Sequence, residues 1–135
     1  MRERVIQSAM ALVGTPYKRL GRTAGVGLDC IGLIVAVGES LGISLQPPRF
    51  YRYGNAEQAI AGVRSTVLVP ITDLWSPGTV VIVSRGRLAH FAIPTHEGVV
   101  EARNDRGVGR VIHTYASDEL KDLVVAAFEF PGECA

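Results

Sequence analysis

The sequence predicts an α+β domain in which N-terminal helices pack on a mostly antiparallel β-sheet. Three observations carry this. Apolar residues near the N-terminus recur at helical spacing. A second apolar run, bounded by helix-capping residues, follows a glycine-rich loop. After Pro77-Gly78 the chain becomes a series of short β-branched and apolar runs separated by brief turns. No repeat, linker or low-complexity segment interrupts the 135 residues, so residues 1–135 read as a single domain.

Val5, Ile6, Ala9, Met10 and Val13 form the stripe of a first amphipathic helix, which Gly14-Thr15-Pro16 ends. Residues 17–28 hold Gly21, Gly25 and Gly27 among basic residues and read as an ordered surface loop. Asp29 is a good N-cap, the run 31–41 forms a buried second helix, and Gly42 suits its C-terminal cap. Gln46-Pro47-Pro48-Arg49 is a break. Asn55, with Gln58 three residues on, predicts a capping box and a third helix through Arg64. Strands are predicted at 79–84, 88–95, 99–103 and 108–113, one helical turn at 118–121, and a last strand at 124–130.

Composition narrows the function classes. The formal net charge is +1, which argues against bulk electrostatic binding of nucleic acid or an anionic membrane. Two cysteines, Cys30 and the penultimate Cys134, make no disulfide framework, and no histidine or cysteine spacing suggests a metal site, so no cofactor is expected. The glycines 21, 25 and 27 lack the order of a phosphate loop. No apolar run reaches membrane-spanning length, so no membrane insertion is expected. Residues 1–7 lack the apolar core of a signal peptide, which predicts cytoplasmic synthesis.

The chemistry centres on Gly27-Leu28-Asp29-Cys30-Ile31-Gly32-Leu33. A cysteine at the start of a helix faces unpaired backbone N–H groups and a partial positive charge, and these favour the thiolate, which is the nucleophilic form. Such a nucleophile needs a general base to take its proton. His90, in an apolar strand, is the candidate; His113 at a strand end is its rival, and His96 falls in an exposed turn. A third group should accept the second imidazole N–H. Glu101 takes that place if residues 88–95 and 99–103 form a hairpin, with Asn104 and Asp105 as alternatives. Asp29 either caps the helix or also binds a substrate ammonium group. Tyr17 is either a buried phenol or a hydroxyl donor near the thiolate. Lys18, Arg19 and Arg22 read as a solvated face that is also able to meet substrate carboxylates. Phe50-Tyr51-Arg52-Tyr53 is an aromatic cluster of core packing or a cover for the site.

Gly14-Thr15-Pro16-Tyr17, Asp29-Cys30-Ile31-Gly32-Leu33, Pro77-Gly78 and His90-Phe91-Ala92-Ile93, in that order and spacing, resemble the NlpC/P60 family of cysteine peptidases. The resemblance runs from the first helix to the last strand. It implies a papain-like NlpC/P60 fold and a thiol peptidase that cuts the peptide stems of bacterial cell-wall peptidoglycan. It implies Cys30 as nucleophile, His90 as base and Glu101 as third member, with Tyr17 and Asp29 shaping the substrate-amine side. The Asp-Cys-apolar-Gly-Leu form and the ending Ala126-Ala127-Phe128-Glu129-Phe130-Pro131 look most like short phage-tail and gene-transfer-agent members. That likeness implies tail proteins as partners and a phage or phage-like particle as the place of action. The sequence departs from the family in having Ile31 where serine often follows the cysteine, and a glutamate as third member. Two other readings stand beside it: a structural tail-assembly domain with a vestigial site, and a Cys-His amidase or acyltransferase acting on another substrate.

Overall fold

The computed structural model describes residues 1–45 and 54–132. Among the described residues four helices, α1 (Arg2–Ala11), α2 (Cys30–Ser40), α3 (Ala56–Arg64) and α4 (Asp118–Asp122), accompany eight strands. Six strands form the main sheet: β3 (Val69–Ile71), β4 (Val80–Arg85), β5 (Leu88–Pro94), β6 (Val99–Arg103), β7 (Arg110–Thr114) and β8 (Val124–Glu129). Their order is β3-β8-β4-β5-β6-β7, and every pairing is antiparallel. β1 (Arg22–Thr23) and β2 (Gly27–Leu28) form a separate two-stranded hairpin within the glycine-rich loop.

The predicted α+β class is the one observed. α2, α3 and α4 begin at capping side chains, whereas α1 starts after Met1 with no side-chain cap. Asp29 accepts the Gly32 N–H, and Asn55 and Gln58 form a reciprocal capping box. Gly42, just past α2, has a φ of +76°, the left-handed conformation that glycine adopts without strain. The 99–103 strand matches its predicted bounds, and the others shift by one or two residues. Two elements were not anticipated: the β1–β2 hairpin and the edge strand β3.

The sheet is covered on both faces. Val80 and Ile82 of β4 pack with Phe91, Ile93 and Phe128 against the helices, and α2 is buried along its length from Cys30 to Gly38. Val81 and Val83 point the other way, joining Ala92, Val99 and Leu120 in a smaller cluster. This explains why β4 reads as an unbroken apolar run rather than an alternating one.

One edge of the sheet is closed by the segment after α1. The Gly14 N–H donates to the Val111 carbonyl, Val111 N–H to Thr15, and Tyr17 N–H to Gly109. The same segment bonds on its other side to residue 28, through Leu28 N–H to Pro16 and Lys18 N–H to Leu28. Tyr17 is thereby stitched between β7 and the start of α2.

Candidate active site

Cys30 is the first residue of α2, a buried free thiol. Cys134 and the Phe50-Tyr51-Arg52-Tyr53 cluster lie outside the described residues. Asp29 fixes the helix start. Its carboxylate is fully buried and saturated: Oδ1 accepts the Gly32 N–H at 2.7 Å and the Arg22 guanidinium at 2.7 Å, and Oδ2 accepts the Leu20 N–H at 2.8 Å. The Asp29 carbonyl takes the Leu33 N–H. These bonds leave the Cys30 and Ile31 amides as the helix-start donors without an intrahelical partner.

Gly32 lets the helix reach this position. A Cβ there would overlap the Gly21 carbonyl oxygen, so α2 and the loop touch backbone to backbone. The Asp-Cys-x-Gly order thus has a local physical reason. The aspartate caps the helix, the cysteine occupies the first turn, and the glycine admits the loop that Asp29 holds through Leu20 and Arg22.

His90 comes from the sheet. Its main chain is set by β4, where Val83 is its partner, and the neighbouring Ala89 N–H donates to the Gly54 carbonyl ahead of α3. The His90 Nε2–H donates to Glu101 Oε1 at 2.8 Å, with side-chain exposures of 20% and 4%. Glu101 sits on β6, and the two strands are joined by the pairs Ile93↔Val100 and Pro94↔Val99 around the 95–98 turn. The structure therefore brings His90 and Glu101 together across the predicted hairpin. With Nε2 engaged, Nδ1 is the nitrogen left for Cys30.

The electrostatics follow from this order. Burial works against a charge on His90, but hydrogen bonds and charge from Cys30 and Glu101 outweigh it and push the imidazole up to about 9. Burial also opposes ionisation of Glu101, yet His90, Arg103 and Arg85 together hold its carboxyl below the usual range. Tyr17 lies close enough to be affected as well. Burial and the charges of Cys30 and Asp29 push its phenol up, against a smaller opposing pull from Arg19.

Cys30, His90, Glu101 and Tyr17 line one open cleft of about 360 Å³, with Arg85, Leu88 and the 102–105 segment on its rim. Asp29 lies beneath it, directed at Arg22 and the loop. Asn104 and Asp105 are on the rim, where Asp105 pairs with Arg103 at 2.8 Å. His113 instead meets Thr95 Oγ1 at 2.8 Å, and His96, 61% exposed, meets Glu3. Neither lines the cleft. Sequence reasoning missed the Arg22–Asp29 pair, since Arg22 reads as one of several solvated loop cations. It also missed Arg85, an exposed residue at the end of a strand that bears on Glu101 only in three dimensions.

No family model and no curated relative matches the sequence. Solved structures do match the fold. Similar over 98% of this chain, with a TM-score of 0.62 and 18% identity, is an NLP/P60-family protein from Staphylococcus aureus subsp. aureus Mu50 described as similar to lipoprotein. The chain spans 42% of that protein's length. The NlpC/p60 domain of the peptidoglycan hydrolase SagA is similar over 96% of this chain and 99% of its own, with a TM-score of 0.62 and 16% identity. No helix among the described residues is long and apolar enough to cross a membrane. The N-terminal helices and six-stranded antiparallel sheet have the fold of solved NlpC/P60 domains.

Proposed function

We propose that this chain is a cysteine peptidase acting on the peptide stems of bacterial peptidoglycan. The observation that carries the reading is one open cleft in which His90 stands between the Cys30 thiol and the Glu101 carboxylate. The fold it shares with a peptidoglycan hydrolase domain supports the substrate class.

In this reading His90 takes the thiol proton, and the thiolate attacks an amide carbonyl carbon, forming a C–S bond. The Cys30 and Ile31 backbone N–H groups are the donors for the oxyanion. As the C–N bond breaks, the imidazolium gives its proton to the departing amine, leaving a thioester. Water then attacks the thioester, His90 takes the water proton, and the C–S bond breaks to release the carboxylate and the thiolate. Glu101 keeps Nε2–H bound, fixes the ring, and stabilises the imidazolium. Tyr17, stitched beside the helix start, shapes the substrate side, and Asp29 acts through the loop it clamps.

Incubating the protein with purified peptidoglycan should release new amino termini, and Cys30→Ala should abolish the release. Equal release by the variant would sink the mechanism. A structural domain with a vestigial site and an amidase or acyltransferase on another substrate are separated by thiol labelling and a substrate screen. Rapid alkylation of Cys30 that slows strongly in His90→Ala marks a working pair. Turnover of a non-wall amide or ester in place of peptidoglycan marks the other enzyme.

The sequence likeness to short phage-tail members supports a finer proposal, that the chain is made in the cytoplasm and acts from a phage or phage-like particle in contact with tail proteins. Mass spectrometry of purified particles from a producing strain should then find this chain, and its absence from them would remove the proposal.

A further inference from the structure

Glu101 is a buried carboxylate, 3% exposed, and among the described residues its one hydrogen bond is the His90 Nε2–H on Oε1. Burial alone would drive such a group to its neutral form. A neutral Glu101 would have no charge with which to favour the imidazolium. The negative charge therefore needs support beyond His90.

The sheet register brings that support. Residues directly opposite one another on paired strands share a sheet face. His90 is opposite Val83 and Leu88 is opposite Arg85, so Arg85 and His90 lie on one face, one step apart along that face of the ladder. Pro94 is opposite Val99, which puts Glu101 and Arg103 on the same face. Two cations thus flank one carboxylate, Arg103 from its own strand and Arg85 from the end of β4, two strands away. The other groups that face Glu101 are Cys30 and Tyr17, across the catalytic cleft, and Asp105, Arg106, Tyr115 and Glu119 in an adjoining cleft of about 520 Å³.

The two flanking cations are not equivalent. Arg103 is held in a bidentate pair by Asp105, at 2.8 and 3.0 Å, which offsets its charge. Arg85 lines both clefts with Glu101, and among the described residues no carboxylate lies within ion-pair distance of it. It also bears on Asp105, whose own pair is already made with Arg103. Around Glu101 the charges act in the expected sense: burial pushes its carboxyl up, and His90, Arg103 and Arg85 pull it below the usual range.

We propose that Arg85 is a positioning residue for the Cys30–His90 pair. Its guanidinium supplies a positive charge not tied up in an ion pair, which keeps Glu101 a carboxylate, and that carboxylate in turn keeps the His90 ring in place. The proposal rests on the peptidase reading of Cys30, His90 and Glu101, and adds a member that acts only through Glu101.

The test reads the thiol and the carboxylate without peptidoglycan. Iodoacetamide alkylation is quantified at Cys30 by peptide mass spectrometry from about pH 4 to about pH 9. The proteins compared are the wild type, Arg85→Gln, Arg85→Lys, Glu101→Gln and the Arg85→Gln/Glu101→Gln double variant. Carboxyl ¹³C NMR follows Glu101 itself. In Arg85→Gln the Glu101 signal should titrate at higher pH than in the wild type, and alkylation between about pH 4 and about pH 6 should slow about threefold or more. Above about pH 7, where Glu101 is ionised in both proteins, the rates should agree. Arg85→Lys should keep the wild-type profile. In the Glu101→Gln background, Arg85→Gln should change nothing further. Arg85 is exposed at a strand end, so these substitutions leave the core untouched. An unmoved Glu101 titration, or a slowing that persists in full without the Glu101 charge, overturns the proposal. Failure to release peptidoglycan fragments would remove the peptidase reading and leave both of these signals as they are, so the two failures are distinct.

Discussion

The two halves of the candidate site are held in different ways. The thiol side is built from neighbours in sequence. Asp29, Gly32, Gly21, Leu20 and Arg22 lie within a dozen residues of Cys30 and fix it through a buried carboxylate and backbone contact. The imidazole side is built from distant strands. His90 lies sixty residues beyond Cys30, and the β5–β6 ladder that leads to it has two residue pairs before a single side-chain bond to Glu101 takes over. The thiol is thus held by contacts within its own loop and helix, whereas the His90 main chain is held by the β4 ladder and its ring is oriented by one carboxylate. Damage to the first half should appear as lost stability, and damage to the second as lost activity with the fold intact.

After loss of the thiol itself, the largest effect on activity should come from His90. His90→Gln should lower peptidoglycan hydrolysis by about 10²–10⁴-fold with an unchanged circular dichroism spectrum. A fall of less than tenfold would remove His90 from its role. Glu101→Gln keeps the shape and loses the charge. It should cost activity by about tenfold, and it should also move the alkaline limb of the pH–rate profile. Glu101 helps raise His90 to about 9, and the imidazolium exists below that value, so activity should fall as pH rises through about 9. In the variant that fall should come at lower pH. An unmoved limb would mean that Glu101 does not act through the imidazole.

On the thiol side, Asp29→Ala removes a helix cap and leaves the part-buried Arg22 cation without this partner. A loss of about 3 kcal/mol in urea unfolding is expected. Gly32→Ala should cost about 1–3 kcal/mol, because the new methyl meets backbone rather than a yielding side chain. Either variant unfolding at the wild-type midpoint would show that the loop contact is dispensable. The smallest effect is the pH dependence of stability. The folded His90 value lies above its unfolded value of 6.5, so its contribution is fully present below about 6.5 and fades as pH climbs through about 9. Glu101, held low, acts in the opposite sense, and its contribution is present above its unfolded value of 4.5 and lost on acidification. Thermal melts should therefore show a maximum between these limits.

What could be read from the sequence follows the same division. Caps and breaks are local, so α2 and α3 start where Asp29 and Asn55 indicate. The 95–98 turn is also local, and it puts His90 and Glu101 on adjacent strands. The three residues of β3, with Pro70 at their centre, carry no strand signal of their own. They are a strand because β8 pairs with them. Arg22 illustrates the same limit for side chains. Its partner Asp29 is only seven residues away, but the contact exists because Gly21 and Gly27 fold the loop back on itself. The apolar character of α2 announces burial, whereas the clefts beside it depend on which strand ends meet.

The Gly14–Tyr17 strap along β7 has a consequence outside catalysis. An open strand at the margin of a sheet is a template for another molecule, and proteins that leave one free tend to associate through it. Here the backbone groups of Gly109 and Val111 are already taken by the strap, and the opposite margin is β3, where Pro70 has no N–H to offer. The strap that positions Tyr17 beside the thiol therefore also guards the sheet against edge-to-edge aggregation, one margin by occupation and the other by a missing donor.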